Sequence, residues 1–320
     1  MIDIIFTDTH FGWKNNSMTW LNSQMKFIYD EFIPKIKEYS KDDSVRVIHC
    51  GDVFDSRSTI STYVASKVVQ AFKDIREVCY EFIFVCCNHD FYSPNSDVVN
   101  TVSLFMGHLD IRIVNQEMYE TEDRAFIPWY VWESGEFKTD AKYIYTHTDL
   151  IYGNVPSHCK GKTILSGHIH TPISRPKQGL YNLGSCYSLN FADANSKRGF
   201  YVIKDGEPEL VVNNTSINFY RLYNDEVLKT DVNKFNPTDY VELYVTQEEL
   251  SKESFNDAIK QYTDALTNLW IIPQVVQSSG VINEDFKGYD IEAIMETSIP
   301  EDLTDFFQKV KTKINLSKEL

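Results

Sequence analysis

The stretch "VRVIHCGDVFD", residues 45–55, joins an apolar run to a polar turn. Its first half is rich in β-branched residues and predicts a buried strand. The Gly-Asp pair that follows predicts a turn at the carboxyl end of that strand. Four further runs in the first 170 residues have the same character: "IDIIF" (2–6), "EFIFVCC" (81–87), "KYIYT" (142–146) and "KTILS" (162–166). Such a succession is typical of an α/β sheet.

Helical segments separate the first three runs. Apolar residues recur every three or four positions from Met25 to Ile36, where Pro34 predicts a kink, and again from Val64 to Ile75. Farther along, "LYNLGSCYSLNF" and "RGFYVIKDGEPELVVNN" predict more strands and a hairpin. We therefore expect a layered α/β fold with two mixed β-sheets packed together and flanked by helices.

Composition and charge narrow the class of protein. The chain is 42% hydrophobic and 24% charged, as in soluble globular proteins, and "MIDIIFTD" lacks the basic start of a signal peptide. We therefore expect a cytoplasmic protein whose six cysteines are reduced. The net charge is −15, of which residues 221–320 contribute −9, with 10 Lys and Arg against 19 Asp and Glu. A general basic surface for nucleic acid is excluded, so a polyanionic substrate would need bound cations or a partner.

Polar residues that can bind metal follow each of the five apolar runs. They are Asp8, His10, Asp52, Asp55, Asn88, His89, His147, His168 and His170. Because ligands gather at the carboxyl ends of strands in α/β sheets, we expect these residues to converge. Asp, His and Asn without thiolate suit Mn²⁺, Fe²⁺ or Mg²⁺ better than a closed structural zinc site, and two ions can share one carboxylate. The neighbouring Asp90 and His49 are predicted to be surface or supporting residues.

The order and spacing of these residues resemble the five motifs of the calcineurin-like metallophosphoesterases, over roughly the first half of the chain. "CGDVFDSRSTIS", "FIPW" (126–129) and "LGSCYSLNFADANSKRGFYV" further resemble the SbcD-type branch, which processes DNA ends. Within that branch the chain is most similar to the recombination nucleases of tailed phages. The resemblance implies an SbcC-like coiled-coil ABC ATPase as partner, a homodimer that pairs within residues 61–109, and, for a phage protein, the host cytoplasm.

The resemblance also implies a role for each residue. Metal 1 would be held by Asp8, His10, Asp52 and His170, and metal 2 by Asp52, Asn88, His147 and His168, with Mn²⁺ the usual ion and Mg²⁺ or Fe²⁺ as alternatives. His89 would protonate the leaving oxygen, and Asp55 would orient His89. The chain departs from the family at Cys87, where the family usually has Gly.

These features predict a two-metal, Mn-dependent DNA phosphodiesterase. It would be an exonuclease, an endonuclease or both, and would serve recombination, repair and replication. Two alternatives are a metallophosphoesterase for a small phosphoester or a phosphoprotein, and a non-catalytic adaptor for the ATPase.

The last hundred residues predict further domains. We expect a nuclease domain over 1–225, a capping and DNA-contacting domain over 226–285, and a helical segment that binds the ATPase over 286–320. An apolar helical stripe in the last segment supplies the candidate partner-binding residues: Leu303, Phe306, Phe307 and Val310. The alternative is that this stripe packs on the chain's own domain.

Overall fold

The five apolar runs all form strands, and each strand ends at the edge where the polar residues begin. The computed structural model describes residues 1–93, 96–204 and 206–274, with the backbone alone at 96–98. Within these ranges the strands are β1 (Ile2–Phe6), β2 (Val45–His49), β3 (Glu81–Val85), β4 (Phe91–Ser93), β5 (Ser96–Asn100), β6 (Arg112–Val114), β7 (Tyr119–Thr121), β8 (Arg124–Phe126), β9 (Tyr143–His147), β10 (Thr163–Gly167), β11 (Ile173–Arg175), β12 (Leu180–Asn182), β13 (Gly199–Ile203), β14 (Glu209–Val212), β15 (Phe219–Tyr223), β16 (Tyr240–Thr246) and β17 (Asn268–Gln274).

The helices lie mostly between the early strands and after the late ones. In the described ranges they are α1 (Met18–Lys26), α2 (Ile33–Tyr39), α3 (Thr62–Val78), α4 (Thr101–Met106), α5 (Trp129–Ser134), α6 (Glu226–Lys229), α7 (Gln247–Leu250) and α8 (Glu253–Ala265). A π-helical turn, Phe27–Phe32, joins α1 to α2, and Pro34 lies in the first turn of α2. Pro34 has no N–H to continue the helical hydrogen bonds, and the kink predicted there stays a prediction.

Two six-stranded mixed sheets form the body of the protein. The first has the order β14-β13-β1-β2-β3-β6, in which β1, β2, β3 and β6 are parallel. The second has the order β11-β12-β10-β9-β8-β7, in which β8, β9, β10 and β12 are parallel. The expectation of an α/β fold with mixed sheets is confirmed.

Buried apolar residues explain why the sheets face each other. Ile5 and Ile83 of the first sheet share a core with Tyr145 and Leu165 of the second. On its other face the first sheet packs against the helices, where Phe72 of α3 belongs to the same core as Phe6 and Phe84. The second sheet is covered on its outer side by α5, through Trp132. The order of layers is helix, sheet, sheet, helix, as predicted from the sequence.

A third, parallel sheet of β15, β16 and β17 follows the two large ones. It has its own core, in which Val241 and Leu243 pack with Phe255 and Tyr262 of α8. This sheet begins at Phe219, ahead of the predicted boundary at 225, and residues 1–274 form one compact unit. The division into three domains stays a prediction.

Residues 275–320 lie outside the described residues. The predicted partner-binding residues Leu303, Phe306, Phe307 and Val310 all fall there. Among the described helices, none combines the length and the apolar character that crossing a membrane requires.

Candidate metal centre

The site lies in the loops that follow parallel strands of both large sheets. Several of its side chains sit on left-handed backbone: φ is 50° at Asp8, 40° at His10, 59° at Asp52 and 90° at His168. Non-glycine residues rarely adopt such angles, and those that do cluster at functional sites. The amide of His168 donates to the Asp8 carboxylate at 3.2 Å, which ties the loop after β10 to the loop after β1.

Four of the predicted ligands form what we call the first cluster: Asp8, His10, Asp52 and His170. Their ligand atoms all lie within 4.8 Å of one another, and all but His170 are buried. The Nε2 atoms of His10 and His170 are 3.0 Å apart, and His10 Nε2 lies 3.9 Å from Asp8 Oδ1 and 3.8 Å from Asp52 Oδ2. Three strand-end loops therefore deliver nitrogen and carboxylate donors to one point, where they could hold a metal ion.

The electrostatics of the first cluster favour a bound cation. Burial, assisted by the neighbouring His170, lowers the pKa of His10 to about 3, although Asp8 opposes this effect. His10 is therefore neutral and keeps a lone pair for coordination. Burial also raises the pKa of Asp52 well above its usual range, and the Asp8 and Asp90 carboxylates add to this effect. A divalent cation would offset both the burial and the repulsion.

A second cluster shares Asp52 with the first and adds Cys87 and His147. The ligand atoms of the three residues lie within 4.8 Å of one another, and all three residues are buried. His147 Nε2 lies 3.6 Å from Asp52 Oδ2, and the rings of His147 and His168 are 5.5 Å apart between centroids. Asn88 Oδ1 is a buried acceptor with no hydrogen-bond partner among the described residues. The second cluster thus has the predicted ligands around it and a thiol that the prediction did not include.

His89 and Asp55, the predicted acid and its orienting group, differ in how the structure places them. His89 is largely exposed beside the clusters. Its pKa is lowered mainly because its ring is partly buried, and the charge of Arg57 is the second cause. Among the described residues no hydrogen bond joins Asp55 to His89. Burial raises the pKa of Asp55, and His170 opposes this effect. The role of Asp55 therefore stays a prediction, and Arg57 is a neighbour of His89 that sequence reasoning missed.

His49 and Asp90 support the loops, as expected. His49 accepts from the amide of Gly51 at 3.1 Å, and its Nε2 lies 3.0 Å from Thr9 Oγ1. The buried Asp90 carboxylate accepts from the amides of Cys87 at 2.8 Å and of Val53 at 3.2 Å. Each of these side chains therefore connects loops that carry different ligands.

Three other supporting side chains were not predicted. Gln24 of α1 donates to the carbonyl oxygens of Thr9 at 3.0 Å and of His10 at 3.2 Å. Asn182 of β12 donates to the carbonyls of Ile169 and Thr171, and Arg198 donates to the carbonyl of His170. These contacts join residues that are 11 to 28 positions apart in the chain, so no local sequence pattern predicts them.

Gly167 shows how closely the end of β10 approaches the loop after β1. A Cβ at this position would lie 2.2 Å from Thr7 Oγ1 and 2.5 Å from Asp8 Oδ2. Both distances are shorter than any real contact of a Cβ, so the "GH" pair after β10 needs a residue without a side chain.

Two cavities share Gly153 in their linings, and the first of them adjoins predicted ligands. One has a volume of about 540 Å³ and is lined by Asn88 and His168 together with Trp129 and Trp132. The other has a volume of about 600 Å³, and its basic residues are Lys160, Lys162, Arg175 and Lys177. An aromatic cavity thus lies next to predicted ligands, and a cavity with several basic residues shares one lining residue with it.

The chain matches no protein-family model and no curated protein.

Proposed function

We propose that this chain is a two-metal phosphodiesterase of the calcineurin-like metallophosphoesterase family, in its SbcD-type branch, and that it cleaves DNA. The observation that carries the proposal is the first cluster, in which Asp8, His10, Asp52 and His170 from three loops meet within 4.8 Å. Two nitrogens about 2.1 Å from one ion lie about 3 Å apart when they subtend a right angle. The 3.0 Å between His10 and His170 therefore fits an octahedral ion such as Mn²⁺.

The donors around the second cluster fit a second ion. His147 Nε2 and Asn88 Oδ1 are buried atoms without a hydrogen-bond partner among the described residues, and such atoms are costly unless a ligand satisfies them. Asp52 would bridge the two ions, with His168 completing the second set. These residues would hold two divalent cations, whose charge would neutralise a phosphate and make a water molecule more acidic.

His89 is proposed to donate a proton to the leaving oxygen. The charge of Arg57 lowers the pKa of His89 after the larger effect of burial, so the free imidazole is neutral near pH 7. A bound phosphodiester carries a negative charge that opposes Arg57. We therefore expect a bound substrate to favour the protonated imidazole of His89 more than the free site does.

The two cavities support DNA as the substrate in preference to a small phosphoester. Trp129 can stack on a nucleobase next to the ligands, as aromatic residues do in proteins that bind single strands. The lysines of the neighbouring cavity, Lys160, Lys162 and Lys177, can contact the phosphates that follow in the strand. These residues form a local basic patch in a chain of net charge −15.

The SbcC-like ATPase and the homodimer are proposed on the resemblance. A Phe306→Asp, Phe307→Asp chain should keep its metal and its activity on small diesters but should lose ATPase binding, because charge would replace the apolar stripe. Unchanged co-purification with the ATPase would contradict the proposed docking segment.

Rates on three substrates distinguish this function from its alternatives. With Mn²⁺, we expect cleavage of bis-p-nitrophenyl phosphate and duplex DNA, slower cleavage with Mg²⁺, and stimulation by the ATPase with ATP. Preference for p-nitrophenyl phosphate over both diesters would indicate a phosphomonoesterase. Inactivity on all three substrates despite bound metal would indicate an adaptor.

A further inference from the structure

Cys87 occupies the centre of the second cluster. Its Sγ lies 3.1 Å from Asp52 Oδ1, and it accepts hydrogen bonds from the backbone amides of Asp52 at 3.2 Å and His89 at 3.3 Å. The side chain is fully buried. Amides that point at a sulfur stabilise negative charge on it, so these two donors would support a thiolate if a cation were bound beside it.

His147 independently indicates a cation at this point. Its Nδ1 donates to the carbonyl of Cys50 at 2.5 Å, which leaves the lone pair on Nε2. That nitrogen is fully buried and has no hydrogen-bond partner among the described residues. Its nearest charged neighbour is Asp52 Oδ2 at 3.6 Å, and a carboxylate offers it no proton when ionised. A metal ion is the partner that satisfies both groups.

We propose that Cys87 Sγ is itself a ligand of the second ion, so that this position prefers Zn²⁺ or Co²⁺ to Mn²⁺ or Mg²⁺. The inference rests on the proposed function, because it assigns one ligand of the second metal of that site. On binding, the thiol loses its proton to solvent, and a metal–sulfur bond replaces the S–H bond.

The distances and the chemistry of the donors agree with this assignment. Metal–sulfur bonds of about 2.3 Å and metal–oxygen bonds of about 2.0–2.2 Å place the two donors about 3–4 Å apart. The 3.1 Å between Cys87 Sγ and Asp52 Oδ1 lies at the short end of that range. Soft thiolates select Zn²⁺ and similar ions, whereas carboxylate and imidazole donors alone do not exclude Mn²⁺. A cysteine in place of glycine therefore changes which ion the site retains.

The competing role for Cys87 is that of a neutral hydrogen-bond donor. Without a cation, burial raises the pKa of the Cys87 thiol, and the Asp52 and Asp90 carboxylates raise it further. The thiol would then donate to Asp52 Oδ1 and position this carboxylate, and the metal preference would be that of Asp, His and Asn alone. The two roles differ in whether sulfur is bonded to the ion.

Cobalt distinguishes the two roles by absorbance. The full-length protein is freed of metal and titrated with Co²⁺, while the number of bound ions is measured by elemental analysis. The variants are Cys87→Ser and, as a matched control, Cys186→Ser, whose sulfur is also buried but donates to the carbonyl of Thr7. Wild type and Cys186→Ser should show a near-ultraviolet band of thiolate-to-cobalt charge transfer. Cys87→Ser should lose the band and bind Zn²⁺ about tenfold or more weakly, with little change for Mn²⁺.

The assignment is overturned if the wild type at full occupancy has no charge-transfer band, or if Cys87→Ser keeps it. X-ray absorption of the Zn²⁺-loaded wild type tests the same bond without a variant, and a first shell without sulfur would also overturn it. Failure to bind any Co²⁺ would overturn the proposed metal centre along with this inference. Two bound ions without sulfur would overturn the inference alone.

Discussion

The two clusters share Asp52 but differ in how their donors are supplied. In the first, every donor is one that the sequence pattern predicts, and four donors meet at one point. In the second, the ligand atoms of Cys87 and His147 lie within 4.8 Å of each other and of Asp52, and His168 does not belong to that group. The first cluster thus depends on backbone turns that orient Asp and His. The second depends on the identity of one buried side chain, so metal preference can change there without altering the loops.

Asp52→Ala should have the largest effect, because it removes a donor from both clusters. We expect the loss of both ions and of all activity on bis-p-nitrophenyl phosphate, with Asp42→Ala, an exposed aspartate, as the control. Elemental analysis counts the ions. Full occupancy of both sites in Asp52→Ala would show that the clusters do not share this residue.

His89→Gln should leave both clusters occupied and still slow the reaction. General acid catalysis contributes about 10²–10⁴-fold, and turnover should fall by about that factor with metal content and DNA affinity unchanged. The exposed His108→Gln serves as the control, and Asp55→Asn should show a milder loss. Loss of metal from the His89 variant would make His89 a ligand and contradict the role given to it.

Gln24→Leu should weaken the first cluster without affecting the second. The substitution removes one of two donors from each of two carbonyls, since His10 keeps the amide of Trp13 and Thr9 keeps the hydroxyl of Tyr187. Residues that orient ligands typically change metal affinity by about 10–100-fold. We expect weaker binding of one ion only, and a stability loss of about 0.5–1.5 kcal/mol for each of the two lost hydrogen bonds. Gln70→Leu, on the exposed face of α3, is the control. Equal weakening of both ions would indicate that the clusters are coupled.

The smallest effect is expected from Lys160→Ala, Lys177→Ala, which changes neither cluster. Each lost phosphate contact lowers the slope of log affinity against log salt by about 0.9. DNA binding should therefore weaken modestly and become less sensitive to salt, with the rate on bis-p-nitrophenyl phosphate unchanged. The exposed lysines of α1 and α2 supply the control, Lys26→Ala, Lys37→Ala. An unchanged salt dependence would place the DNA elsewhere.

Local patterns predicted the strands well because each strand is a short apolar run followed by a turn. "IDIIF" is β1 to the residue, and the other four runs shift by one or two positions at their ends. The polar residues after them could be predicted as a group, since parallel strands end at one edge. The start of the third sheet at Phe219 could not be predicted, because its partner Tyr240 lies 21 positions away. The sequence of one strand does not indicate which other strand it pairs with.

The supporting contacts and the position of the thiol could not be predicted from local sequence patterns, for a related reason. Gln24 donates to the carbonyls of Thr9 and His10. The sequence around a glutamine in an amphipathic helix does not indicate which groups it binds. Cys87 was recognised in the sequence as a departure, but its 3.1 Å approach to Asp52 depends on how β2 and β3 are paired. The sequence indicated most of the candidate donors, and the fold determined which of them lie close enough to hold one ion.

The left-handed backbone at the ligand residues lowers the stability of the protein while it positions the side chains for activity. Asp tolerates positive φ better than histidine, so His10 at 40° and His168 at 90° carry most of the strain, about 1–3 kcal/mol each. Glycine would relieve that strain at either position and would remove a metal donor. A library of variants selected only for heat resistance in a chelating buffer should therefore accumulate glycine at both positions. The same library selected for turnover should retain histidine, so two lineages from one parent would diverge first at the site itself.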